Sequence, residues 1–189
     1  MTHAPLIRGL FLAALRRPVI VSPTQEEAGI VLDEPLADVA PDSLADVELP
    51  VVVSAGGESY QVRATASGER AITGRVALVT GGAQGFGAEI AKGLVDQGCF
   101  VYIADLNGEG AAAKAAELGV GTTHPITVNV ADEDSVAAMA AEVERVTGGL
   151  DLVVSNAGIV RAGSVLEQDA SAFRLSTDIN YVAFFLVTK

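Results

Sequence analysis

Between Thr80 and Gly87 the chain reads TGGAQGFG, with Gly81, Gly85 and Gly87 in a G-x-x-x-G-x-G pattern. Glycine admits positive φ, and its missing Cβ lets a ligand approach the backbone closely. Before the loop, RVALVT (75–80) reads as a short buried strand. After it, Ala88 to Gln97 reads as a helix, with Ile90, Ala91 and Leu94 on one face and Gly98 as its stop. A helix N-terminus offers unpaired N–H groups and a positive dipole end, both suited to a phosphate. The loop therefore fits a pyrophosphate. Taken alone, the pattern also fits a tight strand-to-helix turn without a ligand. Its place after a strand and before a helix favours the phosphate. The next apolar run, CFVYIAD (99–105), ends in an acid, Asp105, which lies 18 residues beyond Gly87. A carboxylate there accepts both hydroxyls of an adenosine ribose and repels a 2′-phosphate. Leu106 beside it brings no cation, and Gln84 in the loop is neutral. The expected cofactor is NAD rather than NADP.

These residues need a frame, and the chain supplies an alternation. Ala111 to Leu118 is an alanine-rich helix stopped by Gly119, and HPITVNV (124–130) is a third strand. Asp132 then serves as an N-cap, with more acid in the first turn, which suits the positive end of a helix. Val136, Met139, Ala140, Val143 and Val146 recur at helical spacing, and the Met belongs to that core stripe. LDLVVSNAG (150–158) is a fourth strand, and Asp169 caps an apolar-faced helix that runs to the last residue. Strand and helix in alternation mean parallel strands joined by right-handed crossovers. The expected fold is α/β, a Rossmann-type doubly wound parallel sheet with about four strands present, which binds ligands beyond the carboxyl ends of its strands.

Residues 1–70 read differently from 71–189. Ile7 to Arg16 suggests a short helix, and Pro18 and Pro23 punctuate the stretch after it. DEPLADVAPDSLADVELP (33–50) is acidic and interrupted by proline, with a small echo, Leu36-Ala-Asp-Val and Leu44-Ala-Asp-Val. Two short copies do not make a solenoid, and the composition suits an exposed linker. Val51–Ser54 and Tyr60–Ala64 are β-rich around Gly56-Gly57, which reads as a hairpin over 51–64. The region is an irregular N-terminal extension. It is either the tail of an upstream domain joined by a linker or a decoration of the main domain.

Composition narrows the partners. The formal net charge is −12 and no Lys/Arg cluster exists, which argues against nucleic acid or an anionic membrane. The apolar N-terminal stretch is interrupted by Arg8 and Arg16-Arg17 and is too short to span a bilayer. Neither does it read as a signal peptide. Cys99 is the single cysteine, so no intrachain disulfide forms, and a small buried residue in a cytoplasmic protein is the natural reading. His3 and His124 stand far apart with no cysteine near, so no metal site is expected.

With these motifs in order, the stretch 75–189 resembles the short-chain dehydrogenase/reductase family. TGGAQGFG resembles its T-G-x-x-x-G-x-G cofactor loop, carried here by Thr80, Gly81, Gln84, Gly85, Phe86 and Gly87. SNAG resembles its N-N-A-G motif, through Asn156, Ala157 and Gly158 after Ser155. Asn129-Val130 matches the Asp-Val pair that borders the adenine ring in the family. Asn180 matches the helical Asn that holds a water in the family's proton relay, and so counts as the one catalytic candidate. Three departures stand out. Phe86 replaces the usual Ile or Leu as a larger apolar plug under the cofactor. Ser155 replaces an Asn, and Asn129 an Asp, although its amide oxygen still accepts a hydrogen bond.

The stretches AQGFG, FVYIADLN and SNAGIVRAGSV lean toward the polyol and sugar-alcohol dehydrogenases. The resemblance implies hydride transfer between NAD and a small-molecule alcohol or carbonyl, and a homo-oligomer paired through the helix bearing Phe184, Phe185 and Leu186. It also implies a catalytic Tyr-x-x-x-Lys, which this sequence lacks. The fourth residue after Tyr60 is Ala64, after Tyr102 it is Leu106, and after Tyr181 it is Phe185. The expectation is a chain truncated before that pair, inactive by itself. The alternative is a non-catalytic nucleotide-binding or scaffolding module.

Overall fold

The structure, a computed structural model, describes residues 2–15, 17–32, 35–64 and 72–189. The boundary expected at 70/71 and the expected helix end at Arg16 lie outside the described residues. The chain forms two compact units. One comprises Met1–Val76, Gln97–Cys99 and Ala140–Asp151; the other comprises Ala77–Asp96, Phe100–Met139 and Leu152–Lys189.

The first unit opens with helix α1 (Ala4–Leu15), which buries Ala4, Ile7, Arg8 and Phe11. That is the i, i+3, i+4, i+7 stripe of a helix lying on a core. Strands β1 (Val19–Thr24), β2 (Ile30–Val31), β3 (Val51–Ala55) and β4 (Glu58–Ala64) form a sheet of order β1-β4-β3-β2. The expected hairpin is β3–β4, paired antiparallel with Ala55 opposite Glu58. Gly56 and Gly57 close it with φ of 58° and 81°. Positive φ at both central residues is the turn whose twist matches that of the strands.

The acidic stretch behaves otherwise than its composition suggests. Among its described residues, Leu36–Asp38 and Pro41–Leu44 form 3₁₀ turns that leave Leu36 and Leu44 only 3% and 4% exposed. Both leucines join the core of α1 and the sheet. The repeated Leu-Ala-Asp-Val thus places one anchoring leucine per turn, and its polar neighbours face water. Tyr60, Val62 and Val53 fill the same core from the sheet.

A buried ion pair also belongs to this unit. Arg8 Nη2 donates to Asp151 Oδ2 at 2.7 Å, with the two side chains 6% and 10% exposed. Arg8 Nε donates to the Val19 carbonyl, and Asp151 Oδ2 also accepts the Val76 N–H at 2.7 Å.

The second unit is built on the strands β5 (Val76–Thr80), β6 (Phe100–Asp105), β7 (Thr123–Thr127) and β8 (Leu152–Val154), in the order β7-β6-β5-β8. β6 with β7 and β5 with β8 pair in parallel. Counted from the first strand this is 3-2-1-4, the leading part of the doubly wound order, and its switch point lies between β5 and β8. Every residue of β5 is buried, as a strand covered on both faces requires. Helices α2 (Gly85–Asp96), α3 (Gly108–Leu118) and α4 (Glu133–Thr147) follow β5, β6 and β7 in turn. Asp132 Oδ1 accepts the Ser135 N–H at the start of α4, the cap expected from sequence.

Three elements depart from the sequence expectation. The third strand, expected over 124–130, ends at Thr127, and Val128–Val130 form a loop whose first N–H bonds to the Asp105 carbonyl. β8 is three residues long, because the backbone beyond Val154 leaves the ladder and bonds instead to the Thr80 hydroxyl. The last helix is not continuous. α5 (Ala170–Thr177) passes into a π turn at Asp178–Val182 before α6 (Ala183–Thr188), and the Ala183 N–H bonds back to the Asp178 carbonyl. The wider turn carries Asn180.

Candidate functional site

A cleft of about 740 Å³ opens beyond the carboxyl ends of the parallel strands in the second unit. Loops from all of them reach it: Gly81–Gly87 after β5, Asp105–Asn107 at the end of β6, Val128–Val130 after β7 and Asn156–Ile159 after β8. This is the switch-point crevice at which open α/β sheets bind ligands.

The glycine positions follow from distances. Gly81 has φ of 65°, and a Cβ there would fall 2.9 Å from the Ala157 Cα. At Gly87 a Cβ would fall 2.0 Å from the Gly81 carbonyl oxygen and 2.6 Å from Asn156 Nδ2. Gly85, with φ of 57°, has nothing within 4 Å. Gly87 is thus glycine so that the loop can fold on itself, and Gly81 so that the segment after β8 can pack against it. Gly85 is glycine for its conformation, and it leaves open space where α2 begins. That space, beside the first N–H groups of a 12-residue helix, is a cradle suited to a pyrophosphate.

Thr80 does not line the cleft. It is fully buried, and its hydroxyl accepts the Asn156 and Ala157 N–H groups at 3.0 and 3.1 Å. Asn156 Nδ2 in turn donates to the Thr80 and Gly81 carbonyls. The SNAG segment and the glycine loop are therefore one hydrogen-bonded body. This pairing takes the place of a longer β8.

Asp105 is half-buried, and both carboxylate oxygens are held by backbone. Oδ2 accepts the Ala83 N–H and Oδ1 accepts the Asn107 N–H, each at 3.0 Å. Leu106 beside it is 71% exposed. Phe86 is 86% exposed at the cleft, so its ring projects from the loop rather than plugging it from beneath. Asn129 lines the cleft with its amide oxygen already accepting the Ala131 N–H, and Val130 is buried beside it.

Asn180 stands outside the cleft lining. Its Oδ1 accepts the Ile159 N–H and its Nδ2 donates to the Ile159 carbonyl, both at 2.8 Å. The amide fastens the π turn to the loop after β8, and Ile179 next to it lines the cleft. Gln84, Gly158 and Ala157 line the cleft as expected from sequence. Asn107, Val128, Ile159 and Ile179 line it as well, without having been expected from sequence. Of these, Asn107 carried a signal, an Asn just before a helix. Among the described residues, no group of three or more metal-ligating side chains comes together. No described helix is long and apolar enough to cross a membrane.

A parallel sheet of this order, with a glycine loop after its first strand and an acid at the end of its second, defines a Rossmann-type α/β fold. The chain belongs to the short-chain dehydrogenase family, whose sequence model matches residues 75–189. It is 37% identical over 117 residues to the 2-dehydro-3-deoxy-L-rhamnonate dehydrogenase (NAD(+)) of Sphingomonas sp. (strain SKA58), covering 61% of this chain and 46% of that protein. It is 38% identical over 120 residues to the D-threitol dehydrogenase of Mycolicibacterium smegmatis, covering 62% and 46%. Among solved structures, the 3-ketoacyl-(acyl-carrier-protein) reductase from Brucella melitensis complexed with NADH is similar at a TM-score of 0.58 and 30% identity, over 62% of this chain and 49% of that one. The chain spans about half the length of the curated relatives it matches.

Proposed function

We propose that the cleft binds NAD and that the whole protein is an oxidoreductase interconverting an alcohol and a carbonyl, with a sugar alcohol or sugar acid as the substrate class. The observation that carries the reading is Asp105, a half-buried carboxylate fixed at the end of β6 in the same cleft as the open Gly85 cradle. The residues present fit the cofactor. The space at Gly85 takes the pyrophosphate, Asp105 takes the adenosine ribose diol, and Asn129, Val130 and Leu106 border the adenine. Asn156, Ala157 and Gly158 close the far side of the cleft. When bound, the nicotinamide ring supplies the hydride acceptor or donor for alcohol–carbonyl exchange.

The protein's part is to bind and orient. Thr80 and Asn156 hold the cradle rigid, and Asn180, whose side-chain amide fixes the loop at Ile159, is assigned to the proton relay on the family resemblance alone. The names of relatives acting on a threitol and on a deoxy sugar acid support the substrate class. The sequence has no Tyr followed four residues later by Lys, so this chain binds cofactor without turning over substrate. Exposed Phe184 and Phe185 favour a homo-oligomer of the whole protein, and the buried lone thiol of Cys99 favours the cytoplasm.

The test is a fluorescence titration of the chain with NADH and, separately, NADPH. Binding of NADH with clear preference, reduced in Asp105→Ala together with relaxed rejection of NADPH, is the expected result. Equal affinity for both dinucleotides in the parent chain, or an unchanged preference in Asp105→Ala, would overturn the assignment.

A further inference from the structure

We infer that Asn107 is a positioning residue for cofactor selection, which holds the Asp105 carboxylate in the orientation that accepts a ribose diol and rejects a 2′-phosphate. This rests on the reading of the cleft as an NAD site and deepens it.

Asn107 makes two bonds at once. Its side-chain Oδ1 accepts the Gly110 N–H at 3.0 Å and so caps α3. Its main-chain N–H donates to Asp105 Oδ1 at 3.0 Å. The cap fixes the peptide whose N–H points at the carboxylate, so the side chain of one residue orients the side chain of another through the backbone between them. The other carboxylate oxygen is tethered to Ala83, inside the glycine loop. An ionised carboxylate offers about four acceptor sites over its two oxygens. With one site on each oxygen spent on backbone, the remaining capacity of both is held at a fixed spacing, as a vicinal diol requires.

The surroundings leave Asn107 little freedom. A Cβ on Gly110 would fall 2.8 Å from Asn107 Nδ2 and 3.2 Å from the Ala83 Cβ. The first turn of α3 therefore lies close against both the capping amide and the glycine loop. Ala83, Asp105, Asn107 and Gly110 form one hydrogen-bonded chain that links the glycine loop to the start of α3.

Removing the cap oxygen should loosen one of the two tethers on Asp105. A carboxylate free to swing is a poorer diol acceptor and a weaker barrier to a phosphate. The two affinities then move in opposite directions. A cap that served only the stability of α3 would weaken both dinucleotides alike.

The experiment measures NADH and NADPH dissociation constants by fluorescence on the full chain, for the parent, Asn107→Ala and Asn107→Ser, with thermal melts alongside. Asn107→Ala is expected to narrow the preference for NADH by about fivefold, the typical worth of an N-cap expressed as an affinity ratio. Asn107→Ser retains a capping oxygen and is expected to restore most of it. A preference in Asn107→Ala within about twofold of the parent overturns the inference even if the melting temperature falls; the twofold margin lies well inside the effect of a lost cap. The inference is likewise overturned if Asn107→Ser fails to recover the preference while its melting temperature recovers. If the parent chain binds neither dinucleotide, the NAD reading itself fails and this inference falls with it. A parent that prefers NADH beside an unaltered Asn107→Ala overturns this inference alone.

Discussion

Gly87→Ala tests the cradle directly. The added Cβ would lie 2.0 Å from the Gly81 carbonyl oxygen and 2.6 Å from Asn156 Nδ2. An ordinary C···O approach is about 3.3 to 3.6 Å, so the Gly81 peptide or the Asn156 amide must retreat by more than roughly 1 Å. Overpacking of this kind costs about 1–3 kcal/mol. The retreat also breaks the Asn156 bonds to the Thr80 and Gly81 carbonyls, worth about 1 kcal/mol each. The sum is about 4 kcal/mol, or on the order of 10 °C in melting temperature for a chain of this size. Gly85→Ala is the matched control. Its Cβ meets nothing within 4 Å, so the protein bears only the strain of φ at 57°, about 1–2 kcal/mol. Its methyl group nevertheless occupies the space assigned to the pyrophosphate. Thermal melts and NADH titrations of both variants should therefore separate. Gly87→Ala loses stability and binding together, whereas Gly85→Ala loses binding, by tenfold or more, with a small loss of stability; tenfold corresponds to about 1.4 kcal/mol. A Gly87→Ala melt within about 2 °C of the parent, under 1 kcal/mol on this scale, would refute the geometry from which the argument starts.

Other perturbations have equally definite outcomes. Arg8→Met removes one guanidinium from the buried Asp151 carboxylate, which keeps Arg75 at 3.5 Å, and should lower urea stability by about 1.5–3 kcal/mol, the worth of a hydrogen bond to a charged group. Arg8→Met with Asp151→Leu should recover only part of that, since the Val76 N–H then loses its acceptor; a fully restored double variant would show that bond to be unimportant. Thr80→Val should destabilise by about 1–3 kcal/mol by orphaning two part-buried N–H groups, and Thr80→Ser by much less, as read by chemical denaturation. Burial, and then the Glu58 carboxylate that accepts its hydroxyl, push the Tyr60 phenol above its ordinary 10.0. The folded state therefore holds that proton more tightly than the unfolded one, and its contribution is complete below pH 10.0 and lost as pH rises through the raised value. Comparing the pH dependence of the Tyr60→Phe and parent denaturation midpoints checks this; coincident alkaline limbs would refute it.

The second unit was legible because its signals are local. An apolar run, a glycine loop and an amphipathic helix follow one another within Arg75–Gln97, and each has its own period. The residues around the cleft were legible for the same reason, since the sheet brings together the ends of strands that carry their motifs. What escaped the sequence depended on distant partners. Leu36 and Leu44 are two leucines in an acidic, proline-rich stretch, and only helix α1 and the sheet, built from other parts of the chain, give them a core to enter. The edge strands β1 and β2 were missed because they are specified by the hairpin they flank. β1 carries Pro23, which argues against a central strand and is tolerated at the sheet edge. Phe86 suggests a plug because it is apolar, whereas the φ of Gly85 and the start of α2 direct it outward. The π turn at Asn180 has no periodic signature, since one extra residue per turn is set by the reach of an amide to Ile159.

That reach has a consequence for the loop that follows β8. The Asn180 amide presents one acceptor and one donor to the N–H and C=O of a single residue, which is how an adjoining strand would greet it. Asn180 thus behaves as a strand one residue long, grafted from a helix onto the loop that follows β8. It keeps the polar groups of Ile159 from pairing with the backbone of a foreign chain, as an open strand edge would. A newcomer seeking backbone partners on this side must find them elsewhere than at Ile159, at a point set by a single side-chain amide.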